Sequence, residues 1–334
     1  MKPIKPEYIL PLMVILLAIA VYMLVAPATS SRNDPNREIP LEGDATVTVL
    51  DPPSKMDLSI DPNYPQTLFS DYSTPIPVNY PVNTAGIEDS PFITPDGYEL
   101  YFFYTPELNA TPRQQAGDGL TGIWCAKRAA NGLFQYPDKV SISEGRAIDG
   151  CPFVQKDTLW FCSDRRGNYR SIDMYSTHID GLQCDNCRNL GRVLNKRYEI
   201  GDLYVSPEGD CIYFHSGRPG GKGGNDIWVT REIDGSWQEP ENVADVNTCL
   251  DEGYPFISEN GLELWYTRPY LGSTAIFRSV RAGQGWSEGV PAITGAAYGP
   301  SLDGDGNIYF AHHYIIDGVM VDSDIFVSYK LSQG

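Results

Sequence analysis

The chain has 334 residues and carries 43 acidic against 25 basic side chains, a formal net charge of −18. With no Lys/Arg-rich stripe, that charge makes nucleic acid or an anionic lipid surface a poor partner. With 42% apolar residues, 32 Gly and 21 Tyr, the composition fits one sizeable all-β domain behind a long leader better than two domains.

The leader comes first. Ile9–Val25 is apolar apart from Pro11 and Tyr22, comes close to bilayer-spanning length, and follows Lys2 and Lys5, which reads as a single transmembrane helix with the rest of the chain outside the cytoplasm. Ala26-Pro27-Ala28 offers small residues for a signal peptidase, but Pro27 is awkward there and the apolar run exceeds a usual signal core, so an uncleaved anchor over residues 1–28 is expected. No Cys follows directly, which argues against a lipid anchor. Residues 29–65, with Asp51-Pro52-Pro53-Ser54 and Asp61-Pro62-Asn63-Tyr64-Pro65, read as a semi-extended tether, with Thr46–Leu50 as a short strand within it.

From about Tyr80 to Lys330 a repeat takes over. Val82–Leu100 aligns without a gap with Val246–Leu264, sharing Asn83/Asn247, Thr84/Thr248, Glu88/Glu252, Pro91/Pro255 and Phe92/Phe256 among others. Each copy has an inner strand (Ser90-Pro91-Phe92-Ile93-Thr94), a turn (Pro95-Asp96-Gly97), an apolar second strand (Leu100–Phe103) and a third (Gly122–Cys125). Further copies are Asp149–Cys162 with Ser171–Tyr175, Gly201–Phe214 with Asp226–Val229, Gly253–Tyr266 with Ala275–Arg278, and Gly299–Phe310 with Asp324–Val327. Five copies predict an all-β, five-bladed β-propeller over residues 66–334.

The fourth strands carry an aromatic followed three residues later by Pro or Gly: Trp237/Pro240, Trp286/Gly289 and, more loosely, Phe134/Pro137. The fifth copy lacks such a strand, while Tyr72-Ser73-Thr74-Pro75 has its signature. The N-terminal segment is therefore expected to close the ring as the outer strand of the last blade, since an open ring leaves edges unpaired.

The stretch Val205-Ser206-Pro207-Glu208-Gly209-Asp210-Cys211-Ile212-Tyr213-Phe214, followed by Arg218-Pro219-Gly220-Gly221 and Asn225-Asp226-Ile227-Trp228, resembles the WD40-like (PD40) propeller repeat of TolB-type and related extracytoplasmic proteins. The resemblance covers roughly three quarters of the chain and implies a propeller. It leaves activity open, because such rings host binding proteins and enzymes alike. TolB itself has six blades and a separate N-terminal α/β domain, so a TolB role is not implied.

Seven Cys occur. Cys184-Asp185-Asn186-Cys187 is expected to close a small disulfide loop outside the cytoplasm; a zinc site of Cys184, Cys187 and His178 lacks a fourth ligand.

Chemistry is expected where the inner strands begin, near the central channel. Glu88 and Asp89, Asp149, Glu199 and Asp202, and Asp251 and Glu252 come from four blades, with Tyr254 and Tyr298 as aromatic lining. Three readings compete. The acids cap strand ends as part of the repeat; or they form a channel-mouth site for a polar ligand such as a glycan or peptide amine, or for Ca²⁺; or Asp89, Asp149 and Asp202 or Glu252 serve a glycosidase as acid and base or nucleophile. The first accounts for most of them, and no resident cofactor is required. Arg165, Arg218 and Arg268 recur after the second strands, with Asp173 and Asp226 expected to pair with the first two. His178, His215, His312 and His313 form no recognisable triad, and the adjacent pair should face opposite ways on its strand. The expected function is a binding or scaffold module for an envelope protein or glycan, with a glycan-active enzyme as the alternative.

Overall fold

Residues 61–142, 146–195, 198 and 200–332 are described by a computed structural model. The hairpin turns that the repeat calls for set the first level of structure. Gly97, Gly209, Gly261 and Gly306 all adopt positive φ between inner and second strands, and Lys156 does so in the second copy, since a tight turn between right-twisted strands requires this conformation. The apolar runs that follow then pair in register, as in Tyr101↔Cys125 and Phe102↔Trp124.

Five sheets result, antiparallel except where Ser141–Ile142 pairs parallel to Gln183–Asn189 at the edge of blade 2. Blade 1 contains Ile87–Ile93, Glu99–Thr105, Gly122–Lys127 and Asp138–Lys139; blade 2, Asp149–Gln155, Thr158–Ser163, Asp173–Asp180 and Gln183–Asn189. Blade 3 contains Gly201–Val205, Cys211–Ser216, Asp226–Ile233 and Glu241–Asn242; blade 4, Gly253–Ile257, Glu263–Tyr270, Ser273–Ala282 and Val290–Thr294; blade 5, Ala297–Leu302, Ile308–Ile316 and Val319–Ser328. The chain is an all-β, five-bladed propeller.

The segment before blade 1 touches two sheets. Gln66–Thr67 pairs with Ile293–Thr294 at the outer edge of blade 4, and Ile76–Pro77 pairs with Phe326–Val327 of blade 5. Between them Tyr72 bridges Lys330, so regular pairing begins just beyond the Tyr72–Pro75 stretch singled out by its pattern. Val78 and Val82 enter a core with Ile93, Leu100, Phe102, Tyr309, Ile325 and Val327, at the seam of blades 1 and 5. The expected anchor (Ile9–Val25) and the strand Thr46–Leu50 lie outside the described residues, among which no helix is long and apolar enough to cross a membrane.

Neighbouring blades are latched by asparagines. Asn195 bonds both backbone groups of Met174 at 2.9 and 3.0 Å, and Asn247 both groups of Ile227 at 2.8 Å. Asn83 does the same to Ile325 at 2.9 Å each. A side-chain amide both donates and accepts, which matches the N–H and C=O of one strand residue; each of these carbonyls also accepts a backbone N–H, from Leu190, Val243 and Val78 in turn.

The disulfide expected between Cys184 and Cys187 is not present: no described cysteine is in a disulfide. Both residues lie on one strand, Gln183–Asn189. Extended backbone advances about 3.3 Å per residue, carrying residues three apart beyond the ~7 Å Cα separation that a disulfide tolerates; Asn186, at positive φ, kinks the strand without reversing it.

Candidate functional site

One structural device repeats around the axis. Every inner strand slips register at the same point, between Asp89 and Phe92, Gly150 and Phe153, Gly201 and Leu203, Gly253 and Phe256, and Tyr298 and Ser301. A bulge of this kind re-aims a side chain. The residues it turns inward are Ser90, Cys151, Asp202, Tyr254 and Gly299, and all five line a cavity of about 40 Å³ on the axis. Ser90, Cys151 and Tyr254 hold φ of 48°, 52° and 54°, a left-handed conformation that L-residues adopt at a cost.

Just beyond the bulges the axis is filled. Phe92, Phe153, Tyr204 and Phe256 meet edge to face, with ring centroids 4.7, 5.0 and 4.9 Å apart in succession. In blade 5 the ring is replaced by Ser301, whose hydroxyl accepts from the Ile93 N–H. A cavity of this size holds a few waters or a small ion; sites for sugar-sized ligands measure roughly 300–1,000 Å³.

Asp202 is the carboxylate of the cavity wall. It lies deep in the ring with part of its surface open to the cavity, and burial, with the Asp89 charge beside it, pushes its pKa up to about 7 against the bonds it takes from Cys151 and Ser90. Asp89 lies next to it, buried, with Oδ2 2.6 Å from His313 Nε2 and 3.1 Å from the Ser323 hydroxyl. The His313 ring stacks on Tyr298 at 4.0 Å. Burial raises the Tyr254 phenol and lowers His215 to about 4, so His215 is neutral and its Nδ1 accepts the Tyr254 N–H at 3.2 Å.

Of the residues chosen from sequence, Asp202 and Tyr254 line the cavity. The others have local duties. Glu88 and Glu252 occupy equivalent positions and accept the hydroxyls of Thr84 and Thr248, each at 2.6 Å; Asp251 accepts the Asn225 N–H of blade 3 at 2.7 Å; Asp149 takes Arg165 Nη2 at 2.8 Å. Tyr298 is 1% exposed and presents no face to solvent. Glu199 lies outside the described residues. The arginines differ from expectation. Arg165 takes Asp149 rather than Asp173, and Arg165, Arg218 and Arg268 lie over Phe161, Phe214 and Phe277, while Asp173 and Asp226 accept backbone N–H groups of the loops before them. A weakly hydrated guanidinium packs over an aromatic face where the loop carboxylates are already occupied.

The Ser90 hydroxyl lies 3.2 Å from Asp89 Oδ1, and His313 Nε2 lies 2.6 Å from the other oxygen. Gly285-Trp286-Ser287-Glu288-Gly289 has the letters of a nucleophile turn, but it sits in the outer hairpin of blade 4 and Ser287 donates to the Glu288 carbonyl, not in the strand-to-helix turn this motif needs. His312 and His313 face opposite ways, one toward Asp61 and the other toward Asp89. Among the described residues no three His, Cys, Asp or Glu side chains group to hold a metal ion.

No family model matches the chain, and no curated protein matches it. Among solved structures it is similar to TolB from Acinetobacter baumannii, with 13% identity and a TM-score of 0.43 over 75% of this chain and 56% of that one. A protein of unknown function from Dyadobacter fermentans gives 12% and 0.45 over 80% and 99%, and an α-L-arabinofuranosidase from Lactobacillus brevis 12% and 0.41 over 74% and 92%. The chain spans little more than half of the TolB chain. These are likenesses of fold alone, and the blade count rests on the hydrogen-bonded sheets.

Proposed function

We propose that this propeller is a binding or scaffold module whose partner, a protein or glycan of the cell envelope, docks on a face of the ring. The observation that carries this reading is the filled axis. With four aromatic rings across the channel and a cavity of about 40 Å³, no glycosidic bond can be brought between two of the acids, which glycoside hydrolysis needs. The apolar run Ile9–Val25 behind Lys2 and Lys5 supports tethering to a membrane with the ring outside the cytoplasm. The pairing of Ile76–Pro77 with Phe326–Val327, together with the Asn83 latch, supports closure of the ring by the segment before blade 1. The test is titration of the immobilised full chain with soluble envelope glycans and envelope peptides. Saturable binding that survives Asp202→Asn is expected, and binding to none of them would contradict the reading.

A further inference from the structure

A second cavity, of about 390 Å³, lies between blades 3 and 4 at the hairpin-turn end of the inner strands. That volume falls within the range of small-molecule sites. Blade 3 contributes Pro207, Glu208, Asp210, Tyr213 and Arg231; blade 4 contributes Ile257 and Arg281.

The two arginines converge. Arg281 lies 3.8 Å from the Trp286 ring centroid, and Arg281 and Arg231 both line the cleft beside Tyr213 of blade 3, whose phenol burial raises while the charges of the two arginines pull it back. Arg231 places Nη1 3.1 Å from Cys211 Sγ. Neither guanidinium is in an ion pair within 4 Å among the described residues. In a chain of net charge −18, two guanidiniums lining one cleft, with no carboxylate within 4 Å of either among the described residues, favour an anion there. The planar guanidinium fork matches a carboxylate.

The rim narrows the choice of ligand. Glu208 and Asp210 also line the cleft, and the Ser206 hydroxyl, 2.8 Å from Asp210, holds that carboxyl below its usual range, so it stays charged. A second negative group on the ligand is repelled there, while a cationic one is welcome, and Ile257 and Pro207 offer apolar surface between.

We propose that this cleft binds one carboxylate, bridged by Arg231 and Arg281, on a ligand whose remainder is apolar or cationic: the chemistry of a free amino acid or a peptide C-terminus. The site is separate from the axial cavity and stands or falls apart from it.

The experiment is calorimetric titration of the full chain with leucine, with the tripeptide Ala-Ala-Leu and with its C-terminal amide. Saturable binding of an acid probe, weakened at least tenfold in the amide and by Arg231→Gln or Arg281→Gln, is expected. Tripeptide alone or leucine as well tells the two sources apart. Binding of neither acid, equal binding of the amide, or unchanged affinity in both folded arginine variants, checked by circular dichroism, would overturn the proposal.

Discussion

The carboxamide of Asn83 holds both backbone groups of Ile325, accepting its N–H and donating to its carbonyl at 2.9 Å each. The two residues belong to opposite ends of the described chain. The contact is 4% exposed at Asn83, so water does not replace it once lost. Asn83→Ala leaves the Ile325 N–H without its partner, at a cost of about 1–3 kcal/mol, while the Ile325 carbonyl keeps the Val78 N–H at 2.8 Å.

A loss of about 1–3 kcal/mol is therefore expected for Asn83→Ala, with Asn247→Ala similar because Asn247 makes the same pair of bonds to Ile227, whose carbonyl likewise keeps the Val243 N–H at 3.0 Å. Denaturant melts of both variants check this. A melt of Asn83→Ala indistinguishable from the parent would show that the segment before blade 1 does not hold the ring.

Asp202 sets a pH dependence. Its folded pKa of about 7 lies above the unperturbed 3.8, so between those values the folded chain keeps a proton that the unfolded chain has released. Stability falls as pH rises through that window. Asp89, Cys151, Ser90 and Tyr254 surround the group, and Asp202→Asn removes its charge without altering its shape. The variant should gain on the parent between pH 5 and pH 8 in thermal melts; a constant difference across that range contradicts the assignment.

His215 acts with the opposite sign. Its folded pKa of about 4 lies below the ordinary 6.5, so the unfolded chain binds the proton more readily and stability is lost as pH falls from about 6.5 towards 4. His215→Gln should reduce this acid-side loss. Parallel pH profiles for variant and parent would rule it out.

Phe153 stands between Phe92 and Tyr204 in the axial ring. Phe153→Ala removes a ring 5% exposed, and a cost of about 3–5 kcal/mol is expected. The axial cavity should enlarge. Retention of parental stability would mean that the rings do not hold the inner strands together.

The blades were legible in the sequence because their signals are local. Asp-Gly turns such as Asp96-Gly97 and apolar runs such as Leu100–Phe103 state both strand and turn, and the Asn83/Asn247 and Glu88/Glu252 coincidences mark equivalent bonds in the structure. The axial bulge was hidden, since Ser90, Cys151 and Tyr254 are not residues that announce positive φ. A signal was present all the same: Pro91, Pro152, Pro255 and Pro300 follow the bulge in four blades. The acids were visible by type, but Thr84 and Thr248, four residues before Glu88 and Glu252, identify those two as strand-end caps. Burial and the pairing of Asp89 with His313, 224 positions away, depend on ring closure and cannot be read from neighbours in sequence.

The proposed function has a partner docking on a face of the ring and no glycoside turned over at the filled axis. Incubating the folded chain with a panel of glycosides and following released sugar tests it directly. No release above the uncatalysed rate is predicted, in the parent and in Asp89→Asn and Asp202→Asn alike. Steady release by the parent that either substitution abolishes would contradict the account.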